Sequence, residues 1–115
     1  MATDNQNLQR LISDLKKKSL EEDSGIWKRI AVDLEKPTRQ RRVVNLSRIN
    51  LFTKDNDVIV VPGKVLASGI IDHKLTVAAF NFSSQAKEKI LEAKGQCMSI
   101  DELMGKKLKG VRIIG

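Results

Sequence analysis

Residues 58–80 read VIVVPGKVLASGIIDHKLTVAAF, and the punctuation of this stretch decides the fold. Three short apolar runs, Val58 to Val61, Val65 to Ala67 and Leu75 to Phe80, are separated by Pro62-Gly63 and by Asp72-His73-Lys74. Runs this short, rich in β-branched residues and bounded by turn formers, predict strands. Upstream, Val43 to Asn45 reads as a further strand, Ser47 to Thr53 as a short helix capped by Ser47, and Asp55-Asn56-Asp57 as a turn. Downstream, Ser83 or Ser84 can cap a helix that carries Ala86, Ile90 and Leu91 inward, with Gly95 as its left-handed C-terminal residue. Ser99-Ile100-Asp101-Glu102 has the capping-box spacing, and predicts a short helix that Gly105 ends. Val111 to Ile114 is then a closing strand. Strands alternating with helices predict an α/β core.

The chain before this core reads differently. Leu8, Leu11, Ile12 and Leu15 repeat at i, i+3, i+4 and i+7, one apolar helix face, with Lys16, Lys17 and Lys18 favouring its C-terminus. Ser24 is a candidate N-cap for a second helix carrying Trp27, Ile30, Ala31 and Leu34, which Pro37 stops. The sequence therefore predicts an N-terminal pair of amphipathic helices. At 115 residues the chain has the size of one domain, here divided into a helical arm (1–36) and an α/β core (37–115).

Charge narrows the function. The net charge is +7, which favours a polyanionic partner through release of condensed counterions. Residues 1–36 carry seven Lys and Arg against seven Asp and Glu, and residues 65–104 carry four against five. Residues 37–64 carry Arg39, Arg41, Arg42, Arg48, Lys54 and Lys64 against Asp55 and Asp57, a net of +4, and residues 105–115 carry Lys106, Lys107, Lys109 and Arg112 against none, another +4. Charge placed for solubility would be scattered, whereas two clusters mark a polyanion footprint. Lys36 to Arg42, K-P-T-R-Q-R-R, has nothing to bury except its proline, so it is an exposed connection whose arginine forks suit phosphates and bases. The candidate contacts to such a polyanion, and RNA-binding residues if it is RNA, are Lys36, Arg39, Arg41, Arg42, Arg48, Lys64, Lys106, Lys107, Lys109 and Arg112; the Lys106 to Lys109 run taken alone would equally be a solvated loop.

Several chemistries lack their residues. One His, one Cys and no Tyr supply neither a catalytic constellation nor a Cys/His zinc site, so no enzyme or metal site is expected. Cys97 has no partner for an internal disulfide, and beside Met98 reads as core. Gly63-Lys64 ends like a P-loop, but Val58 stands where the first glycine belongs and Val65 where Ser or Thr would hold magnesium. His73 reads as a turn residue. No apolar run spans a bilayer, and Met1 to Asn7 is too polar for a signal peptide, which leads to the expectation of a cytoplasmic protein. The phenylalanines, Phe52, Phe80 and Phe82, lie within apolar patterns, so no base-stacking platform is expected and recognition should rest on phosphates, 2′-hydroxyls and RNA shape.

Val60 to Gly69 (VVPGKVLASG), Leu75 to Phe80 (LTVAAF) and Ser83 to Ile90 (SSQAKEKI), in that order, closely resemble the L-eighteen-e ribosomal protein family, the archaeal and eukaryotic relative of bacterial L-fifteen. Arg41 to Asn50 (RRVVNLSRIN), Ser99 to Leu103 and Val111 to Gly115 extend the likeness over the chain from about Asn7, and the short length resembles archaeal members. One departure is Ala67, where relatives often carry glycine. The resemblance implies a β-β-α superhelical core and a non-catalytic role in the large ribosomal subunit, without cofactor or small-molecule substrate and with large-subunit ribosomal RNA and neighbouring ribosomal proteins as partners. It places RNA contacts on Arg39, Arg41, Arg42, Arg48 and Lys64. Gly63 and Gly69 would serve either as plain turn glycines or to bring chain close to RNA. Charge alone would equally serve a DNA-binding or chromatin-like protein, and the Leu8 to Leu15 face could dock another protein instead of covering a core.

Overall fold

The structure, a computed structural model, describes residues 2–22, 25–35, 42–106 and 111–114, with the side chains of residues 2–7 and of Arg42 left aside. It divides into two compact units, Met1–Arg41 and Arg42–Gly115.

In the first unit, helix α1 (Ala2–Glu22) packs on helix α2 (Gly25–Glu35). Leu8, Leu11 and Leu15 of α1 and Trp27, Ile30, Ala31 and Leu34 of α2 are buried. Lys16 to Lys18 lie inside α1 instead of at its end, because no glycine or proline interrupts the helix before Glu22. Lys18 pairs with Glu22 one turn on at 3.0 Å and stands 5.5 Å from the Trp27 ring centre. The expected cap Ser24 lies outside the described residues.

The second unit is a parallel sheet with three helices. Its elements are β1 (Arg42–Asn45), α3 (Leu46–Phe52), β2 (Val58–Leu66), β3 (Thr76–Phe82), α4 (Ser84–Glu92), β4 (Gln96–Ser99), α5 (Ile100–Met104) and β5 (Arg112–Ile113). Strands β1 to β4 lie side by side in chain order, every pair parallel. β3 occupies one edge of β2, so β5, paired with Ile59 and Val60, and β1, paired with Gly63 to Leu66, share the other. Parallel neighbours need a crossover, supplied by α3, by the segment 67–75 and by α4. Residues from all three crossovers (Leu46 and Ile49; Ile71 and Leu75; Ala86 and Ile90) are buried in one cluster with Ile59, Val61, Val65, Val77 and Ala79. On the opposite sheet face Val60, Ala78 and Met98 form a buried row by register, and α5, with Ile100 and Leu103 buried, packs on β3 and β4.

Four expectations for this unit need correction. Pro62-Gly63 is not a turn: β2 runs through it, and the register advances three residues from Val61 to Lys64 against two in β3. That is a β-bulge, a place where a strand tolerates proline. Helix α3 starts at Leu46 with Asn45 in the cap position and no side-chain cap, while the Ser47 amide donates to Ser68 O at 3.0 Å. Gly95 does not take the left-handed angle; Lys94 does, at φ 64°. Gly95 is needed for space instead, since a Cβ there would fall 2.6 Å from Leu75 O. Leu91 is exposed on α4, not inward. β4 was not foreseen; within it Met98 is buried and Cys97 half-buried. Ser83 and Ser99 cap as expected, each accepting a backbone N–H three residues on at 3.1 Å.

Candidate nucleic-acid interface

Helix α3 is short and must turn Leu46 and Ile49 to the core. Its 3.6-residue period then leaves Arg48, Leu51 and Phe52 outward, with Leu51 76% and Phe52 51% exposed. The Arg48 guanidinium lies one turn before Phe52, 5.2 Å from the ring centre, within range of a cation–π contact.

The C-terminal end of α3 is closed by groups from elsewhere. The Thr53 hydroxyl donates to Ile49 O at 2.7 Å, and Arg112, from β5, donates through one Nη to Phe52 O at 2.9 Å. The same Nη donates to Asp57 Oδ2 at 2.8 Å, and Asp57 Oδ2 also accepts the Lys54 amide at 2.8 Å. The register explains why Arg112 reaches α3: it pairs with Ile59, whose side chain belongs to the core face that α3 covers. Both hydrogens of that Nη are engaged, which fixes the guanidinium plane and leaves Nε–H and the other Nη without a protein partner among the described residues. Arg48, Phe52, Arg112, Ile113 and Ile114 line one open cavity of about 250 Å³.

The two basic stretches thus meet at Arg48 and Arg112. Lys64 lies elsewhere: its register partners Val43 and Asn81 make an exposed row on the face opposite the cluster of Val44 and Val65. Lys106 is exposed just past the end of α5. Arg42 contributes backbone to β1 opposite Gly63. Lys36, Arg39, Arg41, Lys107 and Lys109 lie outside the described residues. Phe52 and Asp57 were missed by sequence reading. The signal for Phe52 was present, since Arg48 and Phe52 are four apart on a helix whose inward positions were already filled.

The other polar groups hold the chain together. The Lys89 ammonium donates to Ala67 O at 2.9 Å and Gly69 O at 3.0 Å, tying the second crossover to α4. His73 lies between Thr53 Oγ1, 2.7 Å from Nε2, and Asp72 Oδ1, 2.9 Å from Nδ1. The hydrogen bond with His73, and then that with Asn50, holds the Asp72 carboxyl below the ordinary range. Burial pushes the Cys97 thiol up, against the pull of Lys87, so its nucleophilic thiolate is suppressed. Among the described residues no group of His, Cys, Asp and Glu is arranged to hold a metal, and no helix is long and apolar enough to cross a membrane. What the exposed site offers is a fixed guanidinium, a second guanidinium and a half-bare aromatic ring, groups that bind phosphate and flat rings.

Comparison with known proteins places this arrangement in context. Residues 6–114 match the family described as ribosomal protein 60S L18 and 50S L18e. Similar proteins carry the name large ribosomal subunit protein eL18. That of Methanothermobacter thermautotrophicus is 43% identical over 112 residues, covering 96% of this chain and 93% of its own length. Those of Methanoregula boonei, at 47% over 96% and 93%, and of Sulfolobus acidocaldarius, at 49% over 93% and 91%, are similar throughout.

Proposed function

Because this chain belongs to the family of ribosomal protein 60S L18 and 50S L18e, we propose that it is a structural constituent of the large ribosomal subunit that binds and stabilises ribosomal RNA through its basic segments. It is a ribosomal protein of archaeal type, not an enzyme, and it works in the cytoplasm within the ribosome. The observation that carries the RNA reading is the convergence of Arg48 and Arg112 on one exposed cavity. Residues 64 positions apart, drawn from the two stretches that hold the whole charge excess, act as one footprint.

Strands β1 to β4 succeed one another in parallel, and their crossovers are buried in one cluster, so the core coils in one sense as a β-β-α superhelix. The N-terminal helix pair, residues 1–36, is an arm of a single domain whose core is residues 37–115. Lys36, Arg39, Arg41, Arg42, Arg48, Lys64, Lys106, Lys107, Lys109 and Arg112 contact RNA phosphates, and neighbouring large-subunit proteins complete the surroundings.

Density-gradient sedimentation of a native lysate tests the assignment. Comigration with large subunits that resists moderate salt is the expected result. A position with free protein, or with chromosomal DNA, at low salt would reject it and favour the DNA-binding alternative.

A further inference from the structure

Phe52 closes a helix whose inward positions are taken by Leu46 and Ile49, and it remains half in water. Phosphate binding gives no reason for this: two arginines would hold a phosphate equally well beside a polar residue. An exposed ring flanked by guanidinium groups does suit a flat, unpaired base, which stacks on aromatic and Arg planes alike. A paired base in an A-form helix keeps both faces covered by its neighbours, so it cannot offer one to the ring.

The surroundings favour the same ligand. The cavity, open to solvent and about 250 Å³ in volume, has room for far more than a single water molecule. The local acidic group, Asp57, is already engaged by Arg112 and the Lys54 amide. By contrast, the cavity at the ends of β3 and β4 is lined by Glu102 as well as Lys87, and its carboxylate opposes a polyanion.

We propose that the cavity between α3 and β5 receives one unpaired base of an RNA loop, stacked against the Phe52 ring and the Arg48 guanidinium, with the adjoining phosphate held by Arg112. This rests on the RNA-binding reading above and adds to it a recognition mode that charge alone does not supply.

Filter binding of the full chain to deproteinised large-subunit ribosomal RNA over a salt series tests it, comparing wild type with Phe52→Leu and Phe52→Trp. Loss of the ring in Phe52→Leu is expected to weaken binding about 5- to 100-fold while leaving the slope of log affinity against log salt unchanged, because no charge is removed. Phe52→Trp is expected to bind at least as well as wild type, and the emission it adds over Trp27 is quenched when RNA binds. Phe52→Leu with wild-type affinity, or an indole at position 52 left unquenched at saturating RNA, would overturn the base-stacking proposal and leave the phosphate-binding function standing. A wild-type chain without salt-dependent RNA affinity would instead remove the parent reading and this one with it. If Phe52→Leu fails to fold, the Phe52→Trp quenching decides alone.

Discussion

Gly69 meets two constraints at once. Its φ of 98° lies in the region L side chains avoid, and a Cβ there would stand 2.5 Å from the Ser47 side chain and 2.6 Å from its amide nitrogen. Backbone strain of this kind costs about 1–3 kcal/mol, and the overlap adds to it. Gly69→Ala is therefore expected to lower the urea midpoint strongly, and an unchanged midpoint would refute the account. The sequence left Gly69 as either a plain turn glycine or a close approach to RNA; the approach it makes is to α3 of the same chain, a non-local partner that was invisible there. At Asp72 the linkage has a definite sign. Its folded value is depressed below 3.8, so its contribution to stability is present above that value and is lost as pH falls through the lower, folded one. Asp72→Asn should flatten the fall of the urea midpoint with acid in that window. Equal slopes in variant and wild type would show the His73 contact to be without weight. Cys97, with its thiol pushed up, should react with a disulfide reagent at neutral pH more slowly than the urea-unfolded chain; equal rates would contradict its burial.

At the scale of elements, what was legible in the sequence was whatever local chemistry decides. Ser83 and Ser99 cap their helices because an N-cap needs only a side-chain oxygen and the next turn of the same chain. Ser83→Ala should cost about 1 kcal/mol in denaturant unfolding, and no loss would mean that the 3.1 Å bond from the Ala86 amide is dispensable. Elements decided by partners across the sheet were misread. Pro62-Gly63 has the composition of a turn, yet β1 and β3 flank it and extend β2 into a single bulged strand. β4 was missed because Gln96 to Ser99 has little strand signal of its own, and its pairing with Thr76 to Ala79 supplies the rest. The end of α3 shows the same dependence. Arg112 closes it from 60 residues away, so no window of sequence around Phe52 could show that an arginine from the chain's end stands beside the ring.

For the whole molecule the governing quantity is where +7 charges act together. If the basic stretches bind RNA, removing charge changes two observables in proportion: affinity falls, and the salt slope becomes shallower by about 0.7–0.9 for each phosphate no longer neutralised. Arg39→Ala, Arg41→Ala and Arg42→Ala combined should then reduce the slope by about 2–3 if each arginine holds one phosphate. The urea midpoint should hold, since this segment carries no apolar face. Removing Lys106, Lys107 and Lys109 should act alike, and the two sets combined should add in slope if they hold separate phosphates. A slope unchanged by the first set would confine the footprint to Lys36, Arg48, Lys64 and the second stretch. An unchanged slope in both sets would confine it to Lys36, Arg48, Lys64 and Arg112, because a side chain that neutralises no phosphate releases no counterion and its removal cannot alter the salt dependence.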